Sequence, residues 1–157
     1  MDGDTVSVER VIKASPDKIF TLLADPGKHA AFDGSDSVNH ATEASVPLTA
    51  GAKFGMAMRG RKETLFLPYR TTNTVIEYEP DRRIAWKTTF LGGRVGGRIW
   101  RYELQAAPEG TDGTLVRETW DVSQDKQKWM ITSGSIPQQT EKSIRATLER
   151  IAKLLES

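Results

Sequence analysis

The 157 residues carry 22 lysines and arginines against 21 aspartates and glutamates, a net charge of +1 with both signs scattered along the chain, so there is no basic stripe of the kind that grips a nucleic-acid backbone. There is no cysteine, which removes disulfides, thiolate nucleophiles and cysteine metal sites together and leaves the redox compartment undetermined. No segment approaches the ~18 apolar residues of a membrane span, and the acid-bearing start Met1-Asp2-Gly3-Asp4 is unlike a signal peptide, so the expectation is one cytoplasmic domain over residues 1–157.

Residues 5–13 hold Val6, Val8, Val11 and Ile12 in a β-branched run, an extended strand that on one reading changes face near Glu9 and Arg10. Ser15-Pro16-Asp17 supplies a helix cap with proline at the first helical position, and Ile19, Phe20, Leu22 and Leu23 give a helix of about three turns ending near Asp25-Pro26-Gly27. Residues 28–32 make one more short turn before Asp33-Gly34-Ser35, a loop signature. Six candidate strands follow, at 37–44, 52–59, 65–78, 83–89, 98–106 and 114–122. Their separators are turn-forming: Ala50-Gly51, Pro80-Asp81, Gly92-Gly93 with Gly96-Gly97, and the stretch from Pro108 to Gly113.

Alternation within these strands sorts one dry face from one wet face. Phe54, Met56 and Met58 oppose Lys53 and Arg59; Ile84 and Trp86 oppose Arg83 and Lys87; Trp100, Tyr102 and Leu104 oppose Arg101 and Glu103. In the last strand Val116, Glu118, Trp120 and Val122 share a face, which puts a carboxylate among apolar neighbours. Residues 124–130 read as a short helix with Trp129 and Met130 apolar, and 137–155 as a long amphipathic helix whose stripe is Ile144, Leu148, Ile151, Ala152 and Leu155. Ser135 and Gln138 fit a capping box at its start, and Glu141–Arg145 and Glu149–Lys153 are (i, i+4) pairs supporting it by roughly 0.2–0.5 kcal/mol each. A helix with one apolar stripe must bury it, and with nearly everything upstream reading as strand the partner is the face of a curved sheet.

The passage Val8-Glu9-Arg10-Val11-Ile12 into Ala14-Ser15-Pro16-Asp17-Lys18-Ile19-Phe20, then Leu23-Ala24-Asp25-Pro26, Glu79-Pro80 with Ile84-Ala85-Trp86, Trp100-Arg101-Tyr102-Glu103-Leu104, and Gly113-Thr114 resembles the START-related SRPBCC superfamily, in its polyketide cyclase/dehydrase-like or lipid-transport-like branch. The resemblance runs over the whole chain. It implies an α+β helix-grip fold: a curved seven-stranded antiparallel sheet wrapped around a long C-terminal helix, with one or two short helices after the first strand and an apolar cavity between sheet and helix. Members bind lipids, sterols, hormones or polyketides there, and some catalyse cyclisation or aromatisation. They share no single catalytic motif, so the resemblance carries over no active residue and implies no cofactor.

The candidate ligand-binding residues are therefore the dry-face side chains Met56, Met58, Trp86, Trp100, Tyr102, Glu118 and Trp120, with Tyr69 and, from the long helix, Leu148 and Ile151. Bulky flat and sulfur-bearing groups suit a pocket for a greasy ligand, and equally fill a core. Glu118 is the candidate catalytic residue: turned inward it must be neutral, hydrogen-bonded to a partner such as the Tyr102 hydroxyl, or set at a pocket mouth, and a shift of register by one would expose it instead. His29 and His40, with Asp33 and Asp36 between them, lack metal-ligand spacing, so no metal is expected. Gly92-Gly93-Arg94-Val95-Gly96-Gly97 lacks the Lys-Ser ending of a phosphate loop and reads as a flexible hairpin; Arg59-Gly60-Arg61-Lys62, with Arg94, Arg98 and Arg101 elsewhere, is a solvated set or an attractor of anionic headgroups.

Two functions follow. One is binding or transport of a small hydrophobic molecule, a lipid or polyketide-like aromatic; the other is a cyclase, aromatase or dehydratase using the same cavity with Glu118 and Tyr102 or Tyr69 as proton-transfer groups. A third reading is an interaction domain with a filled centre. An apolar void favours the first, convergent polar groups the second, and a packed interior the third.

Overall fold

The computed structural model describes residues 1–43, 46–60, 65 and 67–156. The elements run β1 (Thr5–Ile12), α1 (Pro16–Leu23), a 3-10 turn (Pro26–Lys28), α2 (His29–Phe32), β2 (Val38–Ala41), β3 (Lys53–Met58), β4 (Tyr69–Glu79), β5 (Arg83–Phe90), β6 (Val95–Ala106), β7 (Thr114–Asp121), α3 (Lys128–Ile131) and α4 (Ile136–Leu155). Seven strands form one antiparallel sheet in the order β1-β7-β6-β5-β4-β3-β2, so the first and last strands are neighbours. This is the expected helix-grip arrangement, with α4 packed against β1 and β7 and touching α1 and α2.

The sheet's inner face carries the core. β1 pairs with β7 from Thr5–Asp121 to Ile12–Thr114 with no slip, so period two holds throughout and the change of face near Glu9 and Arg10 does not occur. Val6, Val8 and Ile12 of β1 and Val116, Trp120 and Val122 of the last strand and its exit are buried with Ile144, Leu148, Ile151 and Ala152 of α4. The same period sends charged residues outward. There Arg101 bonds Glu77 with two nitrogens, at 2.9 and 2.6 Å, and reaches Asp121 at 3.3 Å, while Arg83 pairs with Glu103 at 3.1 Å.

Local readings differ from this structure at several ends. Strand β6 begins at Val95 and not at residue 98, because Gly96 and Gly97 lie inside it at a register shift against β5. Both have positive φ, and a Cβ at Gly96 would meet the Thr88 carbonyl oxygen at 2.8 Å, a close backbone approach that suits glycine. Helix α1 has eight residues, about two turns and not three. Ser135 is the N-cap of α4 but its side chain makes no cap bond; it accepts instead from Gln139 Nε2 at 2.8 Å, so the capping box is not formed. In α3 Ile131 is the buried residue and Trp129 is 77% exposed. The strand expected at 37–44 is only Val38–Ala41 and the one expected at 65–78 begins at Tyr69, while residues 44 and 66, with Arg61 and Lys62 of the basic run, fall outside the described residues. Arg98 and Arg101 are engaged by Asp125 and by Glu77 with Asp121, which leaves neither as a free anchor for headgroups. Among the described residues no helix is long and apolar enough to cross a membrane.

Candidate functional site

The inner face is not filled throughout. Where β3, β4, β5 and β6 curl away from α4, a cavity of about 110 Å³ remains, closed on one side by α2 and the loop after it and on another by the N-terminal half of α4. Its apolar wall is Phe32, Phe54, Met56, Met58, Trp86, Trp100 and Ile144. Half-buried Asp33, Ser35, Val38, Met58, Trp100 and Ser143 mark its mouth, and His29, Trp86, Tyr102 and Glu118 lie buried within.

Glu118 sits where the alternation of β7 puts it, directly opposite Tyr102 on β6 and Val8 on β1. It is 3% exposed, and the Tyr102 hydroxyl hydrogen-bonds to its carboxyl. The other oxygen, Oε2, is buried with no hydrogen-bond partner among the described residues. Burial pushes the Glu118 carboxyl well above the usual carboxylate range; Tyr102 pulls it part of the way back, and the charge of Asp33 adds to the rise. Tyr102 is itself pushed well above the usual phenol range by burial and by Glu118. Burial thus favours the neutral form of both, an acid and a phenol sharing one hydrogen bond.

His29 enters from α2. Its Nε2 lies 2.8 Å from the Leu23 carbonyl oxygen, which can only accept, so the proton is on Nε2 and Nδ1 carries a lone pair. The ring stacks on Trp86 at 4.8 Å and 20° and meets Phe32 and Phe54 edge-on at 5.3 and 5.4 Å. Burial in this aromatic nest drops its pKa to about 4, so it too is neutral. Asp33 is held differently: its carboxylate accepts from Ser35 Oγ and from the backbone nitrogens of Ser35, Ser37 and Val38 at 2.8 to 3.2 Å. On β4, Asn73 donates to Thr71 and to the Phe54 carbonyl and accepts from Thr88 at 2.7 Å, a closed polar set on the cavity wall.

The loop carrying Asp33 is pressed against α4. Gly34 N donates to Thr147 Oγ1 at 2.9 Å, and a Cβ at Gly34 would fall on the Ser143 carbonyl oxygen and 2.6 Å from the Thr147 nitrogen. Arg150 fastens the far side on the Asp33 carbonyl and the Asp36 carboxylate.

Of the residues expected from sequence, Met56, Met58, Trp86, Trp100, Tyr102 and Glu118 line the cavity together. Four do not. Trp120, 3% exposed, belongs to the closed core, and so do Leu148 and Ile151, because α4 meets β1 and β7 there and leaves no space. Tyr69 lies at the start of β4, with its ring against Phe90 at 5.7 Å, away from the cavity. His40 is exposed on β2. The sequence reading also missed His29, Asp33, Thr71, Asn73, Ser143 and Thr147. For Asn73 and Thr71 a signal existed, since they occupy the inward positions of β4 between exposed Arg70 and Thr72. Ser143 and Thr147 likewise interrupt the helix's apolar side. His29 and Asp33 had none, because only tertiary packing brings α2 over the sheet.

A sequence model of the family described as polyketide cyclase / dehydrase and lipid transport matches residues 4–156. The chain belongs to this family. An uncharacterised protein of Mycobacterium tuberculosis (strain ATCC 25618 / H37Rv) is 31% identical over 111 residues, 70% of this chain and 44% of that protein, so the chain spans less than half the length of this family relative's own sequence. Among solved structures, a protein of Chromobacterium violaceum superposes with a TM-score of 0.73 at 16% identity, covering 99% of both chains. A protein of the dynemicin biosynthetic locus superposes with a TM-score of 0.66 at 20% identity, covering 99% of this chain and 48% of that one. At these identities the structural likeness establishes the family's fold.

Proposed function

We propose that the chain binds a small, mainly apolar molecule in this cavity, with Met56, Met58, Trp86 and Trp100 as wall and with Glu118 and Tyr102 taking the ligand's polar end. The observation carrying this reading is that one void combines an apolar wall with a buried carboxyl oxygen that has no hydrogen-bond partner among the described residues. Interiors are close-packed, and a buried polar atom without a partner costs about 1–3 kcal/mol, so a ligand that fills the void and bonds Oε2 relieves both deficits. Size narrows the class. A cavity of about 150 Å³ takes a benzene ring, so about 110 Å³ behind an open mouth suits one ring, or the leading ring of a fused aromatic, better than a lipid chain. The family's polyketide members and the structural neighbour from a biosynthetic locus agree with such a ligand.

The second reading, a cyclase, aromatase or dehydratase, is favoured by the convergence of Glu118, Tyr102 and His29. A neutral carboxylic acid and a neutral imidazole on one void are a general acid and a general base.

An environment-sensitive hydrophobic dye tests the first reading, with saturation expected near one per chain and displacement by ring compounds. A folded protein that takes up neither dye nor ring compound sinks it. For the second, Glu118→Gln is expected to lower turnover of a cyclising or dehydrating substrate by about 10²-fold or more; an unchanged rate removes Glu118 from the chemistry.

A further inference from the structure

The charges on the cavity wall are one-sided. Two carboxyl groups, Asp33 and Glu118, face the void, and no lysine or arginine lines it among the described residues. Arg150 reaches the loop bearing Asp33, bonding the Asp33 carbonyl and the Asp36 carboxylate and feeling the Asp33 charge, but it does not line the void. The imidazole of His29 is neutral and supplies no positive charge. A fatty acid, a phosphate ester or any other anion would meet the Asp33 charge with no lysine or arginine on the wall among the described residues, in a space where water screens little. Meanwhile Glu118 Oε2 has no hydrogen-bond partner among the described residues. The ring of Trp100, half-buried at the mouth, makes no stacking contact with another ring among the described residues and offers an open π face.

We propose that the cavity selects a single-ring amine, its ring against Trp86 and Trp100 and its ammonium on Glu118 Oε2, with Asp33 as the second negative neighbour. This deepens the reading of the cavity as a ligand site and rests on it. An ammonium brings three N–H donors and a positive charge, so it can bond the unpartnered oxygen, stabilise the ionised form of Glu118 and sit beside the Asp33 charge, which a neutral hydroxyl does only in part.

Binding carries a proton signature. In the empty protein the Glu118 carboxyl is pushed toward its protonated form, since burial outweighs the Tyr102 hydrogen bond and Asp33 opposes a second charge. On β1, Val8 stands against it and Arg10 of the same face is exposed; α4 contributes Ser143 and Thr147, which do not titrate. When an ammonium docks, Glu118 ionises and its proton leaves to solvent while the ligand keeps its own, so amine binding releases protons wherever the empty carboxyl is still protonated.

The probes are benzylamine, benzyl alcohol and benzoate, alike in ring and length. Tryptophan fluorescence gives affinities for the wild type, Glu118→Gln and, as an off-site control, Trp129→Ala, while calorimetry in two buffers of different ionisation enthalpy counts protons. Expected are an amine at least about tenfold tighter than the alcohol, no binding of benzoate, net proton release on amine binding, an amine-to-alcohol ratio near unity in Glu118→Gln, and an unchanged ratio in Trp129→Ala. Should Glu118→Gln fail to fold, the wild-type proton count still decides. Alcohol as tight as amine, bound benzoate, or amine binding without proton release overturns the proposal. If the hydrophobic dye binds and none of the three probes does, the cavity survives and amine selection falls; if nothing binds, both fall.

Discussion

Strand β7 carries two carboxylates three positions apart, and the protein treats them in opposite ways. Asp121 points outward, where Arg101 reaches it at 3.3 Å and the Ser123 nitrogen at 2.9 Å, in a lattice that also ties Glu77, Arg83 and Glu103. Glu118 points inward, has one neutral hydrogen-bond partner and keeps one oxygen bare. A charge with a full set of partners holds strands together, whereas a buried acid with one oxygen unpartnered among the described residues costs stability where it stands.

The largest expected effect splits the inner face itself. Ile151→Ala, in the closed part under α4, should cost about 2–5 kcal/mol of stability and leave dye affinity alone. Ile144→Ala, two turns earlier on the cavity wall, should cost less, because its side chain already lacks neighbours on one side, and should change dye affinity. Denaturant midpoints and dye titrations of the two variants decide. Equal losses with binding untouched in both would show that α4 packs solidly along its length.

Next is pH. His29 titrates at about 4 in the folded protein against about 6.5 when unfolded, so between these values the unfolded chain binds the extra proton and stability falls as pH drops. The full loss is about 3 kcal/mol. Glu118 works in reverse. Its folded carboxyl holds a proton that the unfolded one has given up, so its contribution is present below about pH 4.5 and is lost as pH rises through the raised folded value. The two opposed slopes therefore offset each other between about pH 4.5 and 6.5, and only the fall due to Glu118 continues above that range; Glu118→Gln should remove the alkaline fall and uncover the acid one, and His29→Gln should let the alkaline fall begin near pH 4.5. A Glu118→Gln curve identical to wild type on the alkaline side would mean the acid is not buried neutral.

The smallest effect separates the two faces directly. Arg101→Met should lose about 1–2 kcal/mol, discounted for the partial exposure of its pairs, and should lose less in high salt, while ligand affinity stays fixed. A change in affinity there would mean that the outer lattice sets the cavity's shape.

The fold was legible because its signals are local and repeated. Period-two alternation in β3, β5, β6 and β7 assigns inner and outer faces, the stripe of α4 demands a sheet to lie on, and Pro16 and Pro137 mark helix starts. Glu118 was legible for the same reason, as an acid at an inward position. The cavity's outline was not. An apolar stripe such as Ile144, Leu148 and Ile151 looks alike whether it meets a sheet or a void, and only the departure of β3 through β6 from α4 tells them apart. His29 and Asp33 arrive on a four-residue helix and its exit loop, elements too short for periodicity to carry information about facing.

The pairing of β1 with β7 also sets how the chain must fold. Ser7 and Thr119 share a hydrogen bond across 112 positions of sequence, and α4, made after both, covers the seam. Until β7 has left the ribosome β1 has no strand to pair with, and until α4 follows, the inner faces of both remain open to water. Such long-range closure puts the domain among the slower folders, on a scale of milliseconds to seconds. A nascent chain stalled before residue 136 would present an apolar, unsealed sheet to whatever chaperone stands at the exit tunnel.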